Sequence, residues 1–144
     1  MSDTSEASHA LPRGIRNNNA GNIRYSVHNK WSGQSGCDDL GFCEFSTPEF
    51  GLRALWVLLL NYHRFSGCQT IVEYVSKWAP NNENDTIAYI SEVSRSMNVN
   101  SENQLDIPQD LPALMKAIII QENGECPYTP LQLETTSSNY PIIT

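Results

Sequence analysis

The apolar positions of the chain change their period after about one third of its length. From Asn22 to His28 they alternate, with Ile23, Tyr25 and Val27 on one side, the period of a half-buried strand. The following stretch SGQSGCDDLG is rich in Gly, Ser and Asp and reads as a turn or long hairpin loop, with Phe42 to Phe45 as the returning strand. From there the spacing is helical. Ser46-Thr47-Pro48-Glu49 fits a capping box, in which a Ser hydroxyl and a Glu carboxylate satisfy exposed backbone amides reciprocally. The helix it opens, near Thr47 to Phe65, is apolar almost all round (Phe50, Leu52, Leu55, Trp56, Val57, Leu58, Leu59, Leu60), which places it in the middle of a domain. Thr70-Ile71-Val72-Glu73 is a second capping box, ahead of a stripe of Ile71, Tyr74, Val75 and Trp78 that stops at Pro80. Asp85 is placed to cap a third helix with Ile87, Ile90, Val93 and Met97 on its apolar face. A fourth begins near Asp110, carries Leu111, Met115, Ile118 and Ile119, and meets Gly124, a natural helix stop.

These elements predict an α+β fold, mostly helical around one buried helix, with a small β hairpin lobe near the N-terminus. At 144 residues one domain is expected. It spans 13–130, between a polar leader over 1–12 and a loosely docked tail over 131–144. Nine Lys and Arg against 16 Asp and Glu give a net charge of −7, which argues against a broad basic surface for nucleic acid or anionic lipid. The longest apolar run, Ala54 to Leu60, is far short of the ~20 residues that a membrane span requires, so no membrane insertion is expected. The first residues have neither the basic nor the apolar region of a signal peptide, and synthesis in a bacterial cytoplasm follows as the expectation. Cys37, Cys43, Cys68 and Cys126 then read as small thiols rather than as disulfides. His9, His28 and His63 show no metal-ligand spacing, so neither metal nor cofactor is expected. His63 and Cys68 lack the surroundings of a thiol nucleophile.

One carboxylate stands out. Leu111, Met115, Ile118 and Glu122 follow one another at spacings of four, three and four, so Glu122 continues the buried stripe of its helix. Burial disfavours its charged form, and so does its place in the last helical turn, where backbone carbonyls make the potential negative. From the sequence both effects are expected to disfavour ionisation, and a carboxylic acid kept protonated near neutrality suits general-acid cleavage of a glycosidic bond. A frayed helix end with Glu122 in water is the alternative. A second dense stretch runs from Arg13 to Tyr25, with Asn17, Asn18, Asn19 and Asn22 close to Arg16 and Arg24. Side-chain amides paired with aromatics such as Tyr25 and Trp31 suit a carbohydrate, whose hydroxyls need donors and acceptors together. The same Asn residues would also serve a structural loop by satisfying their own backbone.

The runs RGIRNNNAGNIRY, Trp31-Ser32-Gly33, GFCEFSTPEFGLRAL, KWAPNNENDTIAYI and AIIIQENGECPY together resemble a family of small phage-borne proteins related to lysozyme-like peptidoglycan hydrolases and lytic transglycosylases. The resemblance covers residues 13–128 and departs from the family pattern at Ala20, where a Pro commonly follows the Asn run. It implies a lysozyme-like fold, with Glu122 as the catalytic acid and Asn18, Asn19, Asn22, Arg24, Tyr25, Trp31 and Tyr128 as substrate-binding residues. Flagellar-type glucosaminidases place the acid first and the Asn–Trp–hairpin stretch after it. Here the order is reversed, which implies a circular permutation.

The substrate so implied is the glycan strand of peptidoglycan, met in the periplasm or from a virion by a monomeric enzyme. Asp38, Asp39 and Glu44 are the candidates for a second carboxylate, although all three also suit a solvated surface. With one strong acid and no evident partner, a lytic transglycosylase is as open as a muramidase or glucosaminidase. A non-catalytic virion or interaction protein that keeps the scaffold is the competing class, and a secreted wall-degrading toxin would share the chemistry.

Overall fold

The computed structural model describes residues 11–80 and 83–139. Most of the leader and the last residues of the tail lie outside the described residues. The elements are α1 (Arg13–Arg16), β1 (Gln34–Cys37), β2 (Cys43–Phe45), α2 (Pro48–Ser66), α3 (Ile71–Trp78), α4 (Glu83–Met97), α5 (Leu111–Asn123) and α6 (Pro130–Asn139). The fold is α+β, mostly helical, with one antiparallel hairpin.

The hairpin is smaller than the alternating pattern predicts, and it is shifted along the chain. Its first strand is Gln34–Cys37, inside the stretch that reads as a loop, and it pairs with Cys43–Phe45. The segment from Asn22 to His28 contributes one isolated bridge, Arg24 to Phe42, and no strand. Tyr25 and Val27 are 45% and 69% exposed, so no apolar face there demands a partner. Ile23 is buried, but loop hydrogen bonds hold it in place: its amide donates to Asn19 Oδ1 at 2.9 Å and its carbonyl accepts from Cys43 N at 2.9 Å.

α2 is the buried helix that the sequence predicts. Leu52, Ala54, Leu55, Trp56, Leu59 and Leu60 are buried, each larger side chain contributing roughly 1.5–3 kcal/mol relative to exposure. Its start differs by one residue from the expected box. Thr47 is the N-cap, with its hydroxyl accepting from Phe50 N at 3.3 Å and Pro48 in the first turn. Ser46 is exposed and uses its backbone amide on the Gly33 carbonyl, while Glu49 reaches away to Gln132. Thr70 and Glu73 do form the capping box of α3. α4 begins at Glu83, ahead of the cap expected at Asp85, and Ile87 is 59% exposed. α4 therefore turns Tyr89 and Val93 inward rather than Ile87.

α5 shares the centre with α2. Leu111, Leu114, Met115, Ala117, Ile118 and Ile119 are buried, and α5 packs against α1, α2, α4 and α6. Gly124 ends it in the left-handed region at φ 82°. The segment expected as a loose tail is helical to Asn139 and packs on α2 and α5, with Leu133 and Thr136 buried. Its apolar signal is sparse because, among the described side chains of this helix, Leu133 and Thr136 are the buried ones, three positions apart.

Asp38 holds the hairpin turn. Its carboxylate accepts from Arg13 at 2.6 Å, from Asn17 Nδ2 at 3.0 Å, and from the amides of Leu40 and Phe42 at 2.9 Å each. Burial opposes the charge of Asp38, but the Phe42 amide, Asn17, Arg13 and the Leu40 amide together outweigh it and hold the carboxyl well below the usual range.

Two outcomes follow for stability. Thr47→Ala is expected to cost about 1 kcal/mol in urea unfolding, with Ser46→Ala close to neutral, because Thr47 supplies the cap. Asp38 is ionised more readily folded than unfolded, so its contribution is full above about pH 4 and fades as pH falls through the lowered folded value. Asp38→Asn should therefore lower the thermal midpoint at pH 7, and the gap to the parent protein should narrow below about pH 4.

Candidate functional site

The last turn of α5 meets the loop that follows α1, so residues 100 positions apart share one polar cluster. Asn19 organises the loop side. Its side chain is fully buried, donating to the carbonyls of Ile23 and Cys43 at 2.9 Å each and accepting from the Ile23 amide. Asn18 and Asn22 take left-handed backbone conformations at φ 53° and 51°, which Asn tolerates better than most residues. Asn123 supplies the helix side. Its amide donates to the Ala20 carbonyl at 2.8 Å and to the Ile119 carbonyl at 3.1 Å, clasping loop to helix.

Gly14 lets this clasp close. A Cβ there would lie 2.5 Å from Asn123 Oδ1, 2.7 Å from the Asn19 carbonyl and 2.9 Å from Asn22 Oδ1. Gly51 plays the matching part on α2, where a Cβ would come within 1.8 Å of the Asn18 carbonyl.

Glu122 is half-buried at this junction and receives donors from three separate segments. Asn22 Nδ2 donates to Oε1 at 3.2 Å, the Tyr89 hydroxyl to Oε2 at 3.0 Å, and the Trp78 indole to Oε2 at a long 3.4 Å. Burial first, then the neighbouring charge of Glu122 and the hydrogen bond to it, push the Tyr89 phenol far above its ordinary value. Tyr89 thus keeps its O–H as a donor at all physiological pH values.

Asn22 and Trp78 also form the wall of a groove of about 240 Å³, together with Ile23, Arg24, Asn29, Trp31, Leu58 and Tyr62. A larger cavity of about 580 Å³ lies elsewhere, lined by Pro108, Pro112, Lys116, Tyr128, Leu133 and Glu134 among others. Size alone favours the larger one. The groove, however, shares two walls with the carboxylate cluster and offers amides, a guanidinium and two indoles to a polar ligand, which makes it the candidate site.

The residues singled out in the sequence therefore separate. Asn22, Arg24 and Trp31 line the groove, with Arg24 stacked 4.4 Å over the Phe42 ring and donating to the Leu40 carbonyl, and Glu122 meets the groove through its bonds to Asn22 and Trp78. Asn19 does not reach a ligand: it is sealed in the loop core. Asn18 donates to the Phe45 carbonyl at 3.1 Å, a bracing contact. Tyr25 lines a neighbouring shallow groove that meets the first at Trp31 and Asn29. Tyr128 faces the distant cavity, its phenol pushed up to about 12 by burial and then by Cys126 and Glu49.

His63 Nδ1 lies 2.8 Å from the Cys68 carbonyl rather than the thiol, and Cys68 Sγ contacts the Glu73 carbonyl, an arrangement that braces the end of α2. Among the described residues no group of three His, Cys, Asp or Glu is placed to hold a metal ion. Asn29, Trp78, Tyr89 and Asn123 are the positions of this candidate site that the sequence reading missed, Trp78 having read as part of an apolar stripe. The Tyr89, Val93, Met97 spacing of i, i+4, i+8 carries the signal for Tyr89, whereas Asn123 has none beyond its place one residue after Glu122.

Asn19→Ala would orphan the buried Ile23 amide and the Cys43 carbonyl, while the Ile23 carbonyl keeps the Cys43 amide, and is expected to cost about 2 kcal/mol or more in chemical unfolding. Gly14→Ala should lower stability by about 1–3 kcal/mol through overpacking, and shift the Asn22 and Asn123 side-chain amide resonances in NMR spectra.

No family model matches the chain. It is 38% identical over 120 residues to protein P5 of Pseudoalteromonas phage PM2, a match that covers 81% of this chain and 74% of that protein. The chain therefore belongs to the family of phage PM2 protein P5.

Proposed function

We propose that this protein cleaves the glycan strands of peptidoglycan with Glu122 as the general acid. The observation that carries the reading is the position of one half-buried carboxylate, fixed in place by Asn22, Trp78 and Tyr89, beside a groove with the chemistry of a sugar site. Indole faces at Trp31 and Trp78 suit the apolar faces of pyranose rings, while the Asn22 and Asn29 amides and Arg24 suit hydroxyls, acetamido groups and carboxylates. The resemblance of the sequence to lysozyme-like hydrolases and transglycosylases points the same way, and a relative in a phage fits a virion-borne role.

In this reading Glu122 protonates the glycosidic oxygen as the bond breaks, with Tyr89 and Trp78 holding its Oε2 and Asn22 its Oε1 in the resting site. The resulting carboxylate then assists the second step. A second carboxylate for that step is hard to find among the candidates. Asp38 is consumed by the hairpin turn, Glu49 accepts from Gln132, and Asp39 lies at the surface beside Arg13. The Glu44 carboxylate lies against Gly36. This favours a single-acid lytic transglycosylase, in which the carboxylate helps the muramoyl 6-hydroxyl close an anhydro ring, over a hydrolase with two carboxylates at about 5–9.5 Å. The enzyme would act as a monomer on the wall, from the periplasm or as part of a virion.

A second reading has an observation of its own. The net charge of −7 is unfavourable for approach to an anionic wall and suits a non-catalytic virion or interaction protein.

Incubation with purified sacculi and mass spectrometry of the soluble products separates the two. The parent protein is expected to release anhydro-muramoyl fragments, and Glu122→Gln to release them about 100-fold more slowly or worse, since an amide has no proton to give. Reducing ends would make it a hydrolase. No release by the parent protein would leave the virion or interaction role.

A further inference from the structure

Cys37 and Cys43 stand directly opposite each other on β1 and β2, and both are free thiols. The type of pairing is set by where the backbone of Cys43 points. Its amide donates to the Ile23 carbonyl at 2.9 Å and its carbonyl accepts from Asn19 Nδ2 at 2.9 Å, so both groups face away from β1. Cys37 and Cys43 are thus a non-hydrogen-bonded antiparallel pair, whose Cα atoms stand about 4.5 Å apart and whose side chains lie on the same face of the hairpin. Disulfides form across about 4.4–6.8 Å. The pair is also asymmetric: Cys37 is exposed, whereas Cys43 is buried among Ile23, Phe45 and Ala54.

We propose that Cys37 and Cys43 are a redox-modification site that closes to an intrachain disulfide in exchange with a low-molecular-weight disulfide such as oxidised glutathione. The exposed Cys37 thiolate attacks one sulfur of glutathione disulfide, forming a mixed disulfide and releasing one glutathione thiolate. Cys43, already opposite, loses its proton and attacks the Cys37 sulfur, and the second glutathione leaves. Two thiols are oxidised, one external disulfide is reduced, and two protons pass to the released thiolates or to solvent. Burial, and then the neighbouring Cys37, raise the Cys43 thiol, which suits it to the second, intramolecular step rather than the first.

The ring so closed contains Asp38, the residue that ties the turn to Arg13 and Asn17. Oxidation would lock the hairpin turn in the conformation that Asp38 ties to Arg13 and Asn17. The inference rests on the hairpin alone and stands whether or not the chain cleaves glycans.

The test uses the full chain in glutathione buffers of graded redox potential, followed by acid quench, alkylation and tryptic mapping. The peptide from Trp31 to Arg53 holds both cysteines. The expected result is its conversion to a form two hydrogens lighter that resists alkylation at both sites, with Cys68 and Cys126 still alkylated. The thermal midpoint of the oxidised protein should rise by about 5–10 °C over the reduced one. Cys37→Ser, an exposed substitution expected to fold, should abolish both changes. Stable glutathione adducts at Cys37, intermolecular dimers, or an unchanged peptide under fully oxidising conditions would each overturn the proposal. So would the same rise in midpoint in Cys37→Ser.

Discussion

The clasp between the Asn19–Asn22 loop and the end of α5 is the constraint on which the rest of this structure depends. Two buried amides make it. Asn19 gathers the carbonyls of Ile23 and Cys43 and the amide of Ile23, and Asn123 reaches across to the Ala20 carbonyl. A loop with no regular structure has backbone groups that burial would otherwise leave unpaired, at about 1–3 kcal/mol each. Asn suits both tasks because one short side chain carries donors and an acceptor together. With the clasp closed, Asn22 is delivered to Glu122, and the wall of the groove is set.

The clasp in turn requires backbones to approach closely. Gly14 and Gly51 stand where any Cβ would strike the loop, so a small residue on α1 and another on α2 hold it from two sides. The hairpin adds a third support through Asp38, which joins the turn to Arg13 and Asn17 by charge-assisted hydrogen bonds. Loop, hairpin and helix end therefore form one polar unit laid against an apolar body made chiefly by α2 and α5.

That arrangement explains why the candidate acid lies where it does. Glu122 follows the buried run of α5 but falls where the helix leaves the core, so it is half covered and still reachable. Tyr89 from α4 and Trp78 from α3 arrive at it because both helices pack on the same apolar body. Four separate segments thus meet at Glu122, which supplies the carboxylate, while Asn22, Trp78 and Tyr89 supply its donors.

Patterning in the chain was enough to determine the helical elements with strong local chemistry. The continuous apolar run of α2, the Thr70–Glu73 box and the Gly124 stop each depend on residues within a few positions of one another, and the stripe ending in Glu122 marks that carboxylate as unusual. Only the tertiary structure decided which Asn residues serve the fold and which face the groove, because Asn18, Asn19 and Asn22 are chemically identical and differ only in what long-range packing puts beside them. The same holds for the hairpin. Ile23, Tyr25 and Val27 alternate as a strand would, but no partner covers Tyr25 and Val27, and the pairing falls instead to Gln34–Cys37, whose Gly and Ser carry no apolar signal. Asn123 belongs with these cases, since its contact with Ala20 lies across the length of the chain and no local spacing encodes it, whereas spacing marks Tyr89 as inward-facing but not as a donor to Glu122.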